Sequence, residues 1–270
     1  MNKRCDLDQA VRGIPDGALL GLGGNTLNRA PMAAVMEMAR QKKRGLRLVK
    51  TAGGMDVDLL CYAGCVASVD AGFISYETEY SLCQHYRKAV QDGRVRANEH
   101  ACYTVISALR AASFGIPFMP VRGLQISDLA AVNDYFQPVT DPFSGETLNA
   151  VKALRPDVSV IHAQLADERG NALIEGPKYD DVLLSRASRT VIVTAERIVG
   201  EEAFAASAQK ADIPHFLVSA VVHVPRGASP GACAGLYGVA DANLREFLGL
   251  GTPEELESWL ARRVSHGQAL

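Results

Sequence analysis

A glycine turn near the start of this 270-residue chain has the composition of an anion-binding site. Gly23-Gly24-Asn25 closes an apolar run, and Arg29 and Pro31 follow it where helical sequence begins. This order predicts a buried strand that ends in a glycine turn, with unpaired main-chain N–H groups at a helix entrance. Such groups favour anions. Together with the Arg29 guanidinium, they predict a pocket for a carboxylate or an oxyanion, which requires the close backbone approach that glycine permits.

The same turn does not fit two common nucleotide-binding motifs. Counted from Gly21, the pattern G-x-G-x-x-G requires a glycine where the chain has Thr26. The next strand-like run ends at Lys50-Thr51, with no acid to bind a ribose. The sequence also has no G-x-x-x-x-G-K-[ST] motif. A tight turn between strand and helix that binds no ligand therefore stays open as an alternative to the anion pocket.

Two acidic segments lie where helices are predicted to begin. Glu99 and His100 follow a short strand-like run and precede a helical one, and Tyr179-Asp180-Asp181 follows Gly176-Pro177. Spacing alone predicts acids that the positive end of a helix dipole stabilises. We interpret His100 as a polar neighbour of Glu99 rather than as a base.

The cysteines do not form a metal-binding pattern. Cys61 and Cys65 are spaced to share one helical face, but no second pair lies nearby and the six histidines are scattered. A structural zinc site needs four ligands, and a catalytic one needs three and a water. We therefore expect buried structural cysteines and no metal.

Strand-like and helical runs alternate along most of the chain. The second strand-like run leads to Gly53-Gly54 and the third to Ser75. Strands are predicted at 46–51, 66–74, 118–121, 158–164, 190–195 and 216–222, and helices at 81–91, 102–114, 240–248 and 253–264. Helices between strands indicate parallel βαβ units, and the near-continuous apolar runs indicate strands covered on both faces. We predict one α/β domain over residues 1–270, with an irregular excursion at about 122–150.

Composition excludes several classes of partner. The net charge of −2 and a pI near 6.3 provide no basic field for nucleic acid. No apolar run approaches the roughly 18 residues of a membrane span. The first residues lack the apolar core of a signal peptide, and six irregularly spaced cysteines do not indicate a disulfide scaffold. We therefore expect a cytoplasmic protein that binds neither nucleic acid nor membrane.

Four segments, in order, carry a resemblance to a known family. They are Ala18 to Pro31, Val121-Arg122-Gly123, Leu154 to Asn171, and Gly176-Pro177-Lys178-Tyr179-Asp180-Asp181. Their ordered recurrence over roughly residues 5–240 resembles the alpha chain of family I CoA-transferases, with the glutaconate CoA-transferase type as the nearest group. The resemblance implies a three-layer α/β fold with a mostly parallel sheet.

The resemblance also implies a reaction shared between an alpha and a beta subunit. In this family a beta-chain glutamate attacks an acyl-CoA thioester, and two covalent half-reactions return CoA to an acceptor acid. The beta-chain motif is not found here, so the implied assembly is a heterodimer or heterotetramer that uses coenzyme A as a substrate thioester and acts on an acyl-CoA and a (di)carboxylic acid. The implied share of this chain is a catalytic or interface carboxylate, Glu99, and the acid-binding residues Gly23, Gly24, Asn25, Arg29, Gly53, Gly54 and Ser75.

Two other functions stay open at this point. Family offshoots whose partner lacks the glutamate hydrolyse a ring or decarboxylate a CoA-bound acid, and Gly231 to Tyr237 is similar to decarboxylase-type alpha subunits. In some offshoots the residue equivalent to Glu99 takes part in catalysis. A non-catalytic sugar-phosphate-binding regulator shares the broad architecture, but the helix-turn-helix that would support it is not apparent.

Overall fold

The computed structural model describes residues 2–124, 127–205 and 211–264. The strands are β1 Leu19–Leu22, β2 Leu46–Gly53, β3 Val66–Ile74, β4 Arg96–Glu99, β5 Phe118–Val121, β6 Phe136–Thr140, β7 Thr147–Lys152, β8 Val158–Asp167, β9 Ala172–Leu173, β10 Thr190–Val199 and β11 Ala220–His223. The helices are α1 Leu7–Arg12, α2 Met32–Arg40, α3 Met55–Tyr62, α4 Glu77–Tyr80, α5 Gln84–Gln91, α6 Cys102–Ser113, α7 Leu129–Val132, α8 Asp181–Ala187, α9 Glu201–Ala205, α10 Asp241–Leu248 and α11 Pro253–Val264.

A mostly parallel sheet forms the centre of the molecule. Its strand order is β11-β10-β8-β1-β2-β3-β4, and every neighbouring pair in that path is parallel. The short strand β9 pairs with β8 in the antiparallel direction. All four residues of β1 are buried, as expected for a parallel strand with both faces covered.

Side chains from the two faces of the sheet enter two separate apolar cores. Leu48 packs with residues of α2, α3, α5, α10 and α11, including Phe247 and Trp259. Its neighbour Val49 packs on the other face with residues of α6 and α8, among them Leu109 and Leu184. Consecutive strand residues point to opposite faces, so helices cover the sheet on both sides. The predicted three-layer α/β fold is confirmed.

The described part of 122–150 is more regular than we expected. β5, β7 and β6 form a separate antiparallel sheet in that order, and Phe136 and Val151 bury its inner face beside α6. This pairing explains why the segment lacked a parallel-strand pattern in the sequence: antiparallel strands with one exposed face alternate in polarity and are short.

The structure also gives the bounds of three other elements that were predicted from the sequence. The helix predicted at 81–91 begins only at Gln84, because the Ser81 N–H donates to the Glu77 carbonyl and closes a turn. The strand predicted at 216–222 begins at Ala220, after a 3₁₀ turn over His215–Leu217. The helix predicted at 253–264 is confirmed, and the Thr252 hydroxyl accepts from the Glu255 N–H. Within the described residues, no helix has both the length and the apolar content needed to cross a membrane.

Candidate active site at the carboxyl edge of the sheet

The predicted site residues follow four adjacent strands at the same edge of the sheet. Gly23-Gly24 follows β1, Gly53-Gly54 ends β2, and Ser75 follows β3. These turns touch: the Thr26 N–H donates to the Ala52 carbonyl at 3.0 Å, and the Ser75 N–H donates to the Gly53 carbonyl at 3.1 Å. Glu99 ends β4, beyond β3. In open parallel sheets, ligands bind outside the carboxyl ends of the strands, so this edge is the candidate active site.

The N–H groups of the first glycine turn are not available to a ligand. The Gly23 N–H donates to the Val160 carbonyl at 2.9 Å, the Gly24 N–H to Asp181 Oδ1 at 2.8 Å, and the Asn25 N–H to the Asn28 carbonyl at 2.9 Å. The expectation of unpaired N–H groups at Gly23, Gly24 and Asn25 is therefore wrong. Contact between substrate and the turn by other atoms stays a prediction.

Arg29 lies beneath this turn rather than at its surface. The residue is 2% exposed, and its guanidinium donates to the carbonyls of His162 and Pro177 at 2.8 and 3.0 Å. It also forms an ion pair with Asp181 Oδ2 at 2.5 Å. The guanidinium already binds three acceptors within the protein. These contacts favour a structural role for Arg29, in which it holds the loop in place, rather than the predicted role of binding a substrate carboxylate.

A second buried ion pair joins the two glycine turns. Lys50 has a side chain that is 1% exposed, and its Nζ lies 2.9 Å from Asp56 Oδ2 and donates to the Gly23 carbonyl. Asp56 Oδ1 accepts from the Gly54 N–H at 2.9 Å. The sequence signal for this pair is a lysine inside the mostly apolar β2 and two acids, Asp56 and Asp58, in the otherwise apolar α3. Buried charges are retained only when paired.

The segment after β3 closes on itself through Ser75. Its hydroxyl donates to the Ser81 carbonyl at 3.0 Å and accepts from the Glu77 N–H at 3.1 Å. Glu77 Oε1 in turn accepts from the hydroxyl of Thr26 at 2.8 Å. Thr26 and Glu77 have φ of 46° and 65°, a conformation that is costly for β-branched and long side chains. Such strained residues concentrate at functional sites, which supports the location.

Asp58 anchors this segment from below. Asp58 Oδ2 accepts from the buried Tyr76 hydroxyl at 2.8 Å, and Oδ1 accepts from the Tyr86 N–H at 2.7 Å. Burial raises the pKa of Asp58 to about 6, although both hydrogen bonds act to lower it. The same burial raises the pKa of Tyr76 well above its ordinary value. Asp58 is not among the residues predicted from the sequence.

Glu99 is exposed at the open end of the edge strand β4. Glu99 pairs with Ala71 of β3, and its backbone carbonyl accepts a hydrogen bond from Asn133 Nδ2 at 2.6 Å. Among the described residues, its carboxylate has no hydrogen bond or ion pair. The position suits a carboxylate that meets a substrate or a partner protein.

His100 points into the molecule, away from Glu99. The residue is 5% exposed, with Nε2 3.4 Å from Asp70 Oδ1 and Nδ1 3.2 Å from the Thr104 hydroxyl. Asp70 also accepts from Asn98 at 3.2 Å. These contacts agree with the interpretation of His100 as a polar neighbour.

The other face of the site is bordered by the first residues of α6 and α8. Cys102 Sγ donates to the Thr51 carbonyl at 3.5 Å, and burial raises the pKa of its thiol. Burial also raises the pKa of Asp180, next to the exposed ring of Tyr179. Tyr179 has φ of 44°. Tyr179 and Asp180 belong to a segment singled out in the sequence, whereas Cys102 does not.

Among the described residues, one group of side chains could hold a metal ion: His162, Glu196 and Cys233. Their ligand atoms all lie within 4.8 Å of one another. However, His162 Nε2 lies 2.8 Å from Glu196 Oε1, which also accepts from the Tyr237 hydroxyl. Burial acts to raise the pKa of Glu196, but these hydrogen bonds outweigh it and hold the pKa below its ordinary value. The group is explained as a hydrogen-bonded network that holds the loop before α10.

Cys61 and Cys65, which the sequence places on one helical face, are not part of this group. Both thiols are buried and free. Burial raises the pKa of Cys65 to about 11 and that of Cys61 above its ordinary value as well. Both thiols are therefore protonated at neutral pH.

A three-layer α/β fold with polar loops at the carboxyl edge of its parallel sheet defines a protein that binds its ligand at that edge. The particular family follows from sequence comparison. Residues 5–224 match the family model described as coenzyme A transferase. The chain therefore belongs to the coenzyme A transferase family, as the sequence resemblance predicted, and this match favours an enzyme subunit over a sugar-phosphate-binding regulator.

Two of the relatives with assigned names are the A subunits, or alpha-type chains, of CoA-transferases. The chain is 32% identical over 254 residues to the alpha-type chain of glutaconate CoA-transferase from Acidaminococcus fermentans, covering 88% of this chain and 79% of the relative. It is 36% identical over 235 residues to the alpha-type chain of 3-oxoadipate CoA-transferase from Pseudomonas knackmussii, covering 86% and 82%. A relative from Archaeoglobus fulgidus, 33% identical over 94% of this chain, is longer, and the chain spans 57% of it.

Two solved structures, of a CoA-transferase and of a decarboxylase, share the fold. The glutaconate coenzyme A-transferase of Acidaminococcus fermentans superposes with a TM-score of 0.90 at 30% identity, over 96% of this chain and 88% of the other. The decarboxylase AibA/AibB superposes with a TM-score of 0.88 at 36% identity, over 98% and 100%. The chain is thus an alpha-type subunit of this family, and its relatives include both transferases and a decarboxylase.

Proposed function

We propose that this chain is the alpha subunit of a heteromeric CoA-transferase that moves CoA between an acyl-CoA and a dicarboxylic acid. The observation that carries the proposal is its likeness to the alpha-type chain of glutaconate CoA-transferase in both sequence and fold, over nearly the whole chain. The partner is a beta-type subunit, and the active assembly is a heterodimer or heterotetramer located in the cytoplasm.

The chemistry proceeds through a glutamate of the partner. Its carboxylate attacks the thioester carbonyl, which releases CoA thiolate and leaves an acyl-glutamyl anhydride. The thiolate attacks the glutamyl carbonyl of the anhydride, which releases the first acid and leaves a glutamyl-CoA thioester. The acceptor carboxylate then repeats the two steps in reverse, so that CoA leaves on the new acid and the glutamate is restored. Each half-reaction exchanges one acyl bond and needs no redox partner.

This chain contributes the acid-binding wall and one carboxylate. The turns at Gly23-Gly24-Asn25 and Gly53-Gly54, with Ser75, form the wall at the carboxyl edge, and the exposed Glu99 faces the partner. Glu99 orients the substrate or moves a proton during its turnover. The contacts of Arg29 support an indirect contribution, through Asp181, to the shape of that wall.

The test is reconstitution. The purified chain alone should convert no acyl-CoA, and the chain co-expressed with a beta-type subunit should transfer CoA among a panel of dicarboxylic acids. Borohydride should trap a glutamyl-CoA thioester on the partner and not on this chain. Turnover by the single chain, or trapping of the thioester on it, would contradict the assignment.

A decarboxylase acting on a CoA-bound dicarboxylic acid is the second candidate, with hydrolysis as its variant. The observation that favours it is the match to AibA/AibB over 98% of this chain and all of the other. In that case the partner lacks the nucleophilic glutamate, and Glu99 is the principal acid–base group. Release of CO₂ with CoA retained on the product, or of a hydrolysed ring, in place of CoA exchange would identify this candidate.

A further inference from the structure

The peptide group between Gly23 and Gly24 is hydrogen-bonded at both ends by buried charged side chains. Its carbonyl accepts from the Lys50 ammonium, and its N–H donates to Asp181 Oδ1 at 2.8 Å. In a trans peptide the C=O and N–H bonds point in opposite directions. One peptide unit therefore lies between a buried cation on one side and a buried anion on the other.

Each of these charged side chains has its own counter-ion. Lys50 lies 2.9 Å from Asp56 at the start of α3, on one face of the sheet. Asp181 lies 2.5 Å from Arg29 and begins α8, on the other face. All four side chains are 3% exposed or less. Paired and buried charges of this kind have few alternative positions, so the peptide between them has a fixed orientation.

Two glycines would otherwise make this peptide the most easily rotated part of the turn. Neither residue carries a side chain that resists rotation, and Gly24 has φ of 73°. Neither position has room for a larger residue. A Cβ on Gly23 would lie 2.4 Å from Asp181 Oδ1, and one on Gly24 would lie 2.5 Å from the Arg29 carbonyl. A rotated peptide would direct its carbonyl at the Asp181 carboxylate and its N–H at the Lys50 ammonium, which opposes rotation electrostatically.

We propose that Lys50 and Asp181 are positioning residues that fix the orientation of the Gly23–Gly24 peptide. Through it they place Asn25 and Thr26 at the candidate site, where the Thr26 hydroxyl holds Glu77. The effect on catalysis rests on the proposed function; the effect on the peptide does not. Both side chains are buried, so they act through the peptide.

Matched variants separate the hydrogen bond to the peptide from the loss of charge. Arg29→Met combined with Asp181→Asn removes the ion pair but keeps an acceptor for the Gly24 N–H. Arg29→Met combined with Asp181→Leu removes that acceptor as well. The pair Lys50→Met with Asp56→Asn tests the other side, since it removes the donor to the Gly23 carbonyl without leaving an unpaired charge.

Hydrogen–deuterium exchange at the Gly24 amide is the first readout, measured on the full-length chain in its purified assembly. We expect exchange about 2- to 10-fold faster in the Asp181→Leu combination than in the Asp181→Asn combination, the range of one hydrogen bond between neutral groups. The Lys50→Met combination should show faster exchange than the unmodified protein. In the complete assembly, kcat should fall by up to about 100-fold in the Asp181→Leu combination, with a smaller change in KM.

Two results would overturn the proposal. One is equal Gly24 exchange and equal kcat in the two Asp181 combinations. The other needs no variant: a Gly24 amide that exchanges in the unmodified protein at the rate of an unprotected amide. An unmodified assembly that turns over no acyl-CoA would refute the proposed function instead, and the exchange comparison would still decide the orientation of the peptide.

Discussion

Replacing Asp58 by Asn should change how stability depends on pH. Asp58 is wholly buried in α3, and burial raises its pKa from 3.8 to about 6. The amide keeps the shape of the carboxylate: its oxygen can accept from the Tyr86 N–H, and its NH₂ can donate to the Tyr76 oxygen. The variant therefore removes the ionisation of this site while preserving both contacts.

The sign follows from where the proton is held. Below pH 3.8 the carboxyl is neutral in both the folded and the unfolded chain and has no effect. As the pH rises to about 6, the unfolded chain loses the proton while the folded protein retains it, so stability falls. Above pH 6 the loss is complete, and a shift of about two pH units corresponds to about 3 kcal/mol. Between pH 4 and pH 7 the stability of Asp58→Asn relative to the unmodified protein should rise by about this amount.

Urea unfolding at a series of pH values measures this difference. Subtracting the two curves cancels the other titrating groups, which are common to both proteins. Thr78→Ser, at an exposed residue of the same segment that does not titrate, is the control, and its difference from the unmodified protein should be flat. A flat difference for Asp58→Asn as well would refute the assignment of the raised pKa to this carboxyl.

Three further substitutions test the site. With the partner present, Glu99→Gln should lower turnover only partly if the assembly is a transferase, and trapping of the glutamyl-CoA thioester should persist. If the assembly is a decarboxylase or hydrolase, kcat should fall by about 10²–10⁴-fold. Unchanged rates would exclude a catalytic role for Glu99. Arg29→Lys should lower the free energy of unfolding by about 1.5–3 kcal/mol, because one ammonium cannot reach the three acceptors of the guanidinium; a raised KM in a fully stable variant would instead restore its predicted role in carboxylate binding. Gly24→Ala should be far more destabilising than Gly64→Ala in thermal unfolding: both glycines have φ near +70°, but a Cβ meets the Arg29 backbone at 2.5 Å only at Gly24 and has open space at Gly64. Equal melting temperatures for these two variants would contradict the close approach seen at Gly24.

The local pattern of the sequence determines the type and order of most elements. Near-continuous apolar runs, such as the one that ends at Gly23, predict strands buried on both faces, and the sheet contains them in parallel. Thr252 before Pro253 predicts the start of α11 because cap and proline act within one turn. The glycine turns at Gly23-Gly24 and Gly53-Gly54 are also local, since each follows directly from the strand before it.

The hydrogen-bond partners of those turns are decided only by the tertiary structure. The acceptors of the Gly23 and Gly24 N–H groups are Val160 and Asp181, more than a hundred residues away in the chain. For this reason the N–H groups of Gly23, Gly24 and Asn25 are paired within the protein, and Arg29 is buried against an acid. The spacing of residues in the sequence shows which donors, acceptors and charges one segment contains. Which charge meets which peptide depends on how the strands and helices pack, because a hydrogen bond or an ion pair requires contact at about 3 Å, whatever the distance along the chain.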